Sequence, residues 1–385
     1  MKILISSTYF LPYSSGLSVY ALRLAEGLSD LGHEIVVLTS QYNDELQRLE
    51  DQGKFQIVRV PVMAKLSKGV LMPGLGKAAR KWIAWANVVN LHLPQFESLL
   101  LSRIAQQFGK PVLVTYHCDL VASTGGALDK LAVLVTTAIG KKVIADSSLV
   151  VQNSLDYAEN SPVLSQYLEK VVAVPTPVNA QKVSADRLAA FYEKYDIKKD
   201  EKVIGLAGRV ATEKGYEYLA MALPAILEAY PEARVVHAGT WKSVVGEQAY
   251  QAQVESYIQP FGQKWISLGY LSDNEFEAFF AACDVLVFSS LNATESFGIV
   301  QIEAMTQGTP VVASDLPGVR QPVSQTGLGI IVPIRDPGAI AKSVIEIFRA
   351  GEKARFVPAE FLQKFQQESV ARHYEELTRL LVSNE

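Results

Sequence analysis

The sequence predicts an α/β protein built from two Rossmann-like, doubly wound domains, and three observations carry that prediction. With 385 residues, the chain is too long for one ordinary hydrophobic core. A strand–loop–helix–strand pattern opens at Lys2 and opens again at Lys202. Between the two openings stands Pro175-Thr176-Pro177, whose prolines oppose regular structure. The interdomain linker is therefore placed near Val178 to Val183, with a first domain over residues 1–180 and a second over 181–362.

In the first domain Lys2 to Ser6 reads as a buried parallel strand, followed by a loop from Ser7 to Ser18. A helix from about Val19 to Leu31 carries Leu22, Ala25 and Leu28 on one face and stops at Gly32. Further strands read at Glu34–Thr39, Phe55–Val62, Val88–Leu93, Pro111–Tyr116, Lys142–Ala145 and Val171–Val174. Asp129–Ile139 reads as an apolar helix, and Leu155–Leu168, broken by Pro162, as helix or loop. A polar helix, Ala185–Tyr195, leads into the second domain. There Lys202–Ala207 is a strand, Gly208–Gly215 a loop, and Tyr216–Ala229 a helix with Leu219, Leu223 and Ile226 as its buried stripe. Strands follow at Arg234–Ala238, Trp265–Leu268, Asp284–Phe288 and Thr309–Ala313, with helices at Asp273–Ala282 and, after a loop, up to Gly308. Helices from Pro337 to about Ala350 and from about Glu368 to Val382 close the chain.

Bulk properties exclude several function classes. Nearly half the residues are hydrophobic and the formal net charge is -4, which fits an ordered globular protein and not a nucleic-acid binder. Cys118 and Cys283 stand alone and far apart, so neither a disulfide framework nor a zinc spacing can be built, which suits a reducing cytoplasm. MKILISSTYF lacks the apolar length of a signal peptide, and no apolar run reaches about 18 residues, so no membrane span is expected.

Two loops carry the chemistry. The stretch SSLNATESFGIVQIEAMTQGTP holds Glu295 and Glu303 with seven residues between them. Its loop ends where a helix begins, so N–H groups and the positive helix end suit an anionic or hydroxyl-rich ligand. Glu295 precedes the helix. Glu303 lies about two turns inside it, in one sector with Thr306 and Gln307 and opposite Val300, Ala304 and Met305. It is either an exposed helix carboxylate or one that accepts ligand hydroxyls. The loop GRVATEKG sets Arg209 and Lys214 at a helix N-terminus, a pattern suited to a diphosphate. It is no Walker A loop, because Lys214 precedes Gly215 and no Ser or Thr follows directly. No G-x-G-x-x-G follows the first strand, which argues against a dinucleotide oxidoreductase.

In the first domain Gly16 lies in the loop where such sheets bind ligands, and His117 lies just past the carboxyl end of a strand. From Lys54 to Phe96 there are basic residues, Lys65 and Lys68 among them, and no acidic ones. That run reads either as a solvated face over core aromatics or as a surface for anionic lipid or an anionic acceptor such as a lipid diphosphate.

The run ESFGIVQIEAMTQGTPVVASDLPG resembles the E-x7-E region of retaining glycosyltransferases of family 4, and GRVATEKG resembles their donor-phosphate loop. The resemblance spans nearly the whole chain and implies the GT-B fold, two facing Rossmann-like domains with a cleft between them. It also implies a last helix, about 363–385, that packs back on the first domain. It implies that Glu295 contacts the sugar of a nucleotide-sugar donor and Glu303 its ribose. Backbone N–H groups of Phe297, Gly298 and Ile299 then approach sugar and phosphate, Arg209 and Lys214 hold the diphosphate, and His117 lies near the sugar. The family's usual glycine pair in the first loop is Ser15-Gly16 here, and its paired glycines and glutamate after the Thr309–Ala313 strand are Pro317-Gly318-Val319-Arg320. On the acceptor side stand Ser15, Asp119, Lys65 and Lys68.

The reading that results is a retaining, hexosyl-transferring enzyme that moves a sugar from a UDP- or GDP-sugar to a hydroxyl of a lipid or glycan. No Asp-x-Asp occurs, so no metal is expected on the phosphates, and no cofactor. Its place would be cytoplasmic, with peripheral membrane contact through residues 54–96. Two other readings stay open: a GT-B nucleotide-sugar epimerase, and a nucleotide-sugar binding protein without turnover.

Overall fold

The structure is a computed structural model describing residues 1–66, 69–122, 126–179, 181–241, 246–355 and 359–383. It divides into two compact units, Met1–Val178 with Lys364–Glu385, and Asn179–Gln363.

The first unit runs β1 (Lys2–Ser6), α1 (Gly16–Asp30), β2 (Glu34–Gln41), β3 (Leu49–Asp51), β4 (Gln56–Pro61), β5 (Ala64–Leu66), β6 (Gly69–Leu71), α2 (Leu75–Trp85) and β7 (Val88–Leu93). It continues through α3 (Ser98–Gln107), β8 (Val112–Tyr116), α4 (Ala127–Asp146), β9 (Leu149–Gln152), α5 (Leu155–Asn160) and β10 (Val171–Ala173). The sheet order is β10-β9-β8-β7-β1-β2-β4-β3, parallel except for the edge pair β3–β4. Strands covered on both faces read as unbroken apolar runs, and Ile3, Leu4, Ile5, Val88, Val89, Leu113 and Val114 are all buried.

The second unit runs α6 (Ala185–Lys194), β11 (Lys202–Ala207), α7 (Tyr216–Ala229), β12 (Ala233–Ala238), α8 (Gln248–Ile258), β13 (Trp265–Gly269), α9 (Asp273–Ala282) and β14 (Val285–Phe288). Then come α10 (Ile299–Thr306), β15 (Val311–Ser314), α11 (Gln321–Thr326), β16 (Gly329–Val332), α12 (Pro337–Ala350) and α13 (Ala359–Gln363). Its sheet is wholly parallel, in the order β13-β12-β11-β14-β15-β16. Leu219, Leu223 and Ile226 of α7 pack with Ile204, Leu206, Val235, Val285 and Val287 in one core. The strand order reverses between β11 and β14, and ligands of open α/β sheets bind at the carboxyl ends of the strands flanking such a point.

A last helix, α14 (Gln367–Ser383), belongs to the first unit and lies on α1. Gly27 allows the approach, since a Cβ there would stand 2.9 Å from that of Ala371. The buried hydroxyls of Tyr20 and Tyr374 meet at 2.9 Å across the same contact.

Several expectations are corrected. Lys142–Ala145 is not a strand but the end of α4, and the strand is β9, seven residues on. Its apolar Val143-Ile144 pair is buried, as either element would require, so only pairing with β8 decides which segment is the strand. Gly16 is not mid-loop but opens α1, with Ser15 as N-cap, its hydroxyl accepting from the Ser18 N–H. The strand expected from Thr309 begins at Val311, because the Thr309 N–H turns back to the carbonyl of Ala304 and Pro310 has no N–H to offer a neighbour. Thr306, expected beside Glu303 on an outer sector, is buried and bonds the Ile302 carbonyl.

Candidate active site

The geometry at the β11–β14 reversal starts with glycine. At Gly215 φ is +62°, and a Cβ would lie 2.5 Å from the carbonyl oxygen of Ser289. Only glycine lets the loop after β11 come this close to the end of β14. The Ser289 hydroxyl completes the staple by donating to the carbonyls of Lys214 (2.9 Å) and Gly215 (3.1 Å). The N–H of Leu291 donates to the carbonyl of Glu213 at 2.8 Å.

This staple brings together two residues that lie far apart in sequence. Lys214 Nζ stands 2.6 Å from Glu295 Oε2, with side chains 17% and 18% exposed. The ammonium also lies over the Phe288 ring, 5.3 Å from its centroid. Glu295 is presented by a turn in which Asn292 Oδ1 accepts from the N–H and hydroxyl of Thr294. Arg209 pairs with Glu213 at 2.8 Å on the open side of the loop, the arginine 45% exposed. Burial works to raise the Glu213 carboxyl, but Arg209, its own backbone N–H and Lys214 prevail and hold it below the usual glutamate range.

After Glu295 the chain passes through buried Phe297 and Gly298 into α10. Gly298 has φ +83°, and a Cβ there would meet the Phe288 ring at 2.6 Å. The buried Gln301 amide donates to the carbonyls of Phe297 (2.7 Å) and Val319 (2.9 Å), tying this turn to the loop after β15. Glu303 lies half-buried in α10, and Ile299 begins it, so the helix's leading N–H groups fall outside its own ladder.

The supports of the Gly208–Gly215 loop carry no motif and were not legible in the sequence. Buried Glu247 accepts from both the N–H (2.9 Å) and the hydroxyl (2.7 Å) of Thr212, in the turn that delivers Lys214. His237 lies 2.7 Å by Nε2 from the carbonyl of Gly208 and 2.9 Å by Nδ1 from the Ser267 hydroxyl. Burial holds its pKa down at about 4, so the ring is neutral at pH 7. A carbonyl only accepts, so Nε2 carries the proton and Nδ1 accepts from Ser267.

The remaining site candidates lie in the first unit. His117 follows β8, its Nε2 stands 2.9 Å from Nδ1 of buried His92, and its ring meets the edge of Tyr20 at 5.1 Å. Burial lowers its pKa to about 3, so it too is a neutral imidazole. Asp119 is turned inward, 4% exposed, and accepts from the hydroxyls of Tyr116, Tyr157 and Ser161 at 2.7–3.0 Å. Those bonds use its carboxylate to tie the end of β8 to α5. The Ser15 hydroxyl is engaged as a helix cap, and Gly16 beside it has open space where a Cβ would be.

Lys65 is exposed on β5, beside a surface cavity of about 520 Å³ lined by Gln41, Tyr42, Asp44 and Met63, and Lys68 lies outside the described residues. Within the basic 54–96 run, Arg59 is buried against Glu50 and Lys54 pairs with Asp30, whereas Lys77, Arg80 and Lys81 line the outer face of α2. Among the described residues no helix is long and apolar enough to cross a membrane, and no cluster of metal-ligating side chains occurs.

Comparison with known proteins places the chain. Residues 189–357 match the family model for glycosyl transferases group 1, and residues 15–164 the model for a glycosyl transferase 4-like domain. The phosphatidyl-myo-inositol mannosyltransferase of Mycolicibacterium smegmatis is 25% identical over 380 residues, covering 92% of this chain and 88% of the relative. Among solved structures, the sucrose-phosphate synthase of Thermosynechococcus elongatus superposes with TM-score 0.77 at 20% identity over the whole of both chains. HepE of Anabaena in complex with UDP-glucose does so with TM-score 0.74 at 18% identity, covering 98% of this chain and 99% of that one.

Proposed function

From a chain that belongs to the family 4 glycosyltransferases and has the GT-B fold, we propose a transferase that moves a hexose from a nucleoside diphosphate sugar to a hydroxyl acceptor with retention of anomeric configuration. The observation that carries the donor assignment is the meeting of Lys214 and Glu295 at the strand-order reversal of the second unit. There a cation suited to phosphate and a carboxylate suited to sugar hydroxyls share one spot. HepE, solved with UDP-glucose, shares the fold and supports the same donor class.

In this reading Lys214, Arg209 and the N–H groups at Phe297, Gly298 and Ile299 hold the diphosphate. Glu295 holds the sugar and Glu303 the ribose. As the bond from the anomeric carbon to phosphate oxygen breaks, charge grows on the leaving diphosphate, and these groups stabilise it more in the transition state than in the ground state. The acceptor oxygen bonds to the anomeric carbon and its proton passes to the departing phosphate. Neutral His117 offers a dipole to the sugar without placing a second positive charge beside the developing cation. Arg209 and Lys214 supply the charge, so the scheme calls for no metal. The acceptor is a lipid or glycan hydroxyl, and exposed Lys77, Arg80 and Lys81 on α2 suit an anionic one or an anionic membrane surface.

The test is a thermal-shift panel of UDP, GDP, ADP, CMP and NAD, each with and without EDTA. At a hundred times its dissociation constant a ligand adds about 2.7 kcal/mol. One nucleoside diphosphate is expected to raise the midpoint regardless of EDTA. Lys214→Ala is expected to abolish that shift and lower turnover by roughly a hundredfold. A parent protein indifferent to all five nucleotides refutes the assignment.

A further inference from the structure

We infer that Glu295 makes the donor site discriminate against the free nucleoside diphosphate that the reaction releases. The inference rests on the donor assignment above and adds a second role for this side chain. The Lys214 ammonium is already claimed by Glu295 at 2.6 Å, and both side chains are more than four-fifths buried. Any diphosphate that takes Lys214 must draw it away from that carboxylate.

What happens next depends on the ligand. An intact nucleotide sugar brings hydroxyls that donate to Glu295, so the carboxylate exchanges an ammonium for O–H donors and stays satisfied. The free diphosphate brings more negative charge and no hydroxyl at that spot. Glu295 is then left largely buried beside a polyanion with its partner taken, the costly arrangement for a buried carboxylate. The turn at Asn292–Glu295 and the Ser289 staple hold both loops in place, which limits how far Glu295 can withdraw. The pair thus favours loading of intact donor and release of the spent nucleotide.

The experiment is calorimetric titration of the full chain with UDP, GDP and ADP and with UDP-glucose, GDP-mannose and ADP-glucose, in the parent, Glu295→Gln and Glu295→Asp. Gln keeps the shape and loses the charge. In Glu295→Gln, the diphosphate that binds the parent is expected to bind about tenfold tighter, while its sugar nucleotide binds more weakly. Glu295→Asp, which keeps the charge, is expected to stay near the parent for the diphosphate. Should Glu295→Gln leave diphosphate affinity unchanged or lower it, or tighten both ligands in equal proportion, the discriminating role is overturned while donor binding stands. Should the parent bind none of the six, the donor assignment falls and this inference with it. Unfolding midpoints are read alongside, and if Glu295→Gln fails to fold, a sugar-nucleotide preference in the parent that Glu295→Asp does not retain likewise overturns the inference.

Discussion

Gly215→Ala tests whether close approach of two loops builds the donor site. The added methyl would stand 2.5 Å from the Ser289 carbonyl oxygen, at a backbone φ of +62°. Two costs are separable. The left-handed conformation alone costs about 1 kcal/mol for alanine. The clash then requires the loop to move by roughly 0.9 Å to restore ordinary contact, which stretches the two Ser289 hydrogen bonds to Lys214 and Gly215. At about 1 kcal/mol for each bond, the total reaches about 3 kcal/mol. Gly32→Ala is the control, because Gly32 has φ +84° and nothing within 4 Å of its would-be Cβ. It carries the backbone cost alone. Denaturant unfolding and nucleotide titration read both variants. Gly32→Ala is expected to lose about 1 kcal/mol and keep nucleotide affinity, whereas Gly215→Ala loses about 3 kcal/mol and at least about tenfold in affinity. Equal stability losses in the two variants, with nucleotide binding intact in both, would refute the reasoning.

Other outcomes follow from the same supports. Glu247→Ala leaves the Thr212 N–H and hydroxyl without their acceptor, and is expected to cost about 2 kcal/mol and to weaken nucleotide binding. Glu247→Gln retains an acceptor oxygen and is expected to recover most of that binding; a Gln variant as poor as Ala in titration would count against a hydrogen-bonding role. Acidification gives an independent reading at His237. Its folded pKa lies near 4 against 6.5 for an unperturbed ring, so the unfolded chain takes up the proton first. Its contribution is complete above pH 6.5 and falls by about 1.4 kcal/mol per unit as the pH drops toward 4. His237→Gln is expected to flatten the stability–pH slope between pH 6.5 and 5 by about that amount, and an unchanged slope in denaturant titrations would contradict it.

Much of this protein is written locally. Lys2–Ser6 and Lys202–Ala207 coincide with β1 and β11, because a short apolar run bounded by a polar loop permits few alternatives, and Tyr216–Ala229 coincides with α7, because Leu219, Leu223 and Ile226 recur at the helical period after Gly215. The two motif loops are local as well. Glycines that tolerate positive φ, at Gly215 and Gly298, stand beside the residues they present, Lys214 and Glu295, so one short run shows both.

What the sequence could not decide is which distant groups meet. The β9 segment and the end of α4 carry similar apolar pairs, and pairing of Leu149 with Leu113 selects the strand. Asp119 reads as a site carboxylate beside His117, yet the hydroxyls of Tyr116, Tyr157 and Ser161 turn it into the core. Lys214 and Glu295 are 81 positions apart, Thr212 and Glu247 are 35, and His92 and His117 are 25. Each pair exists because particular strands became neighbours: β11 beside β14, β11 beside β12, and β7 beside β8. Sequence alone determined the elements and the residue types that could do the chemistry, since propensity and hydrophobic period act over a few residues. Strand order and register, decided only when the sheets assemble and bury their faces, determined which of those residues touch.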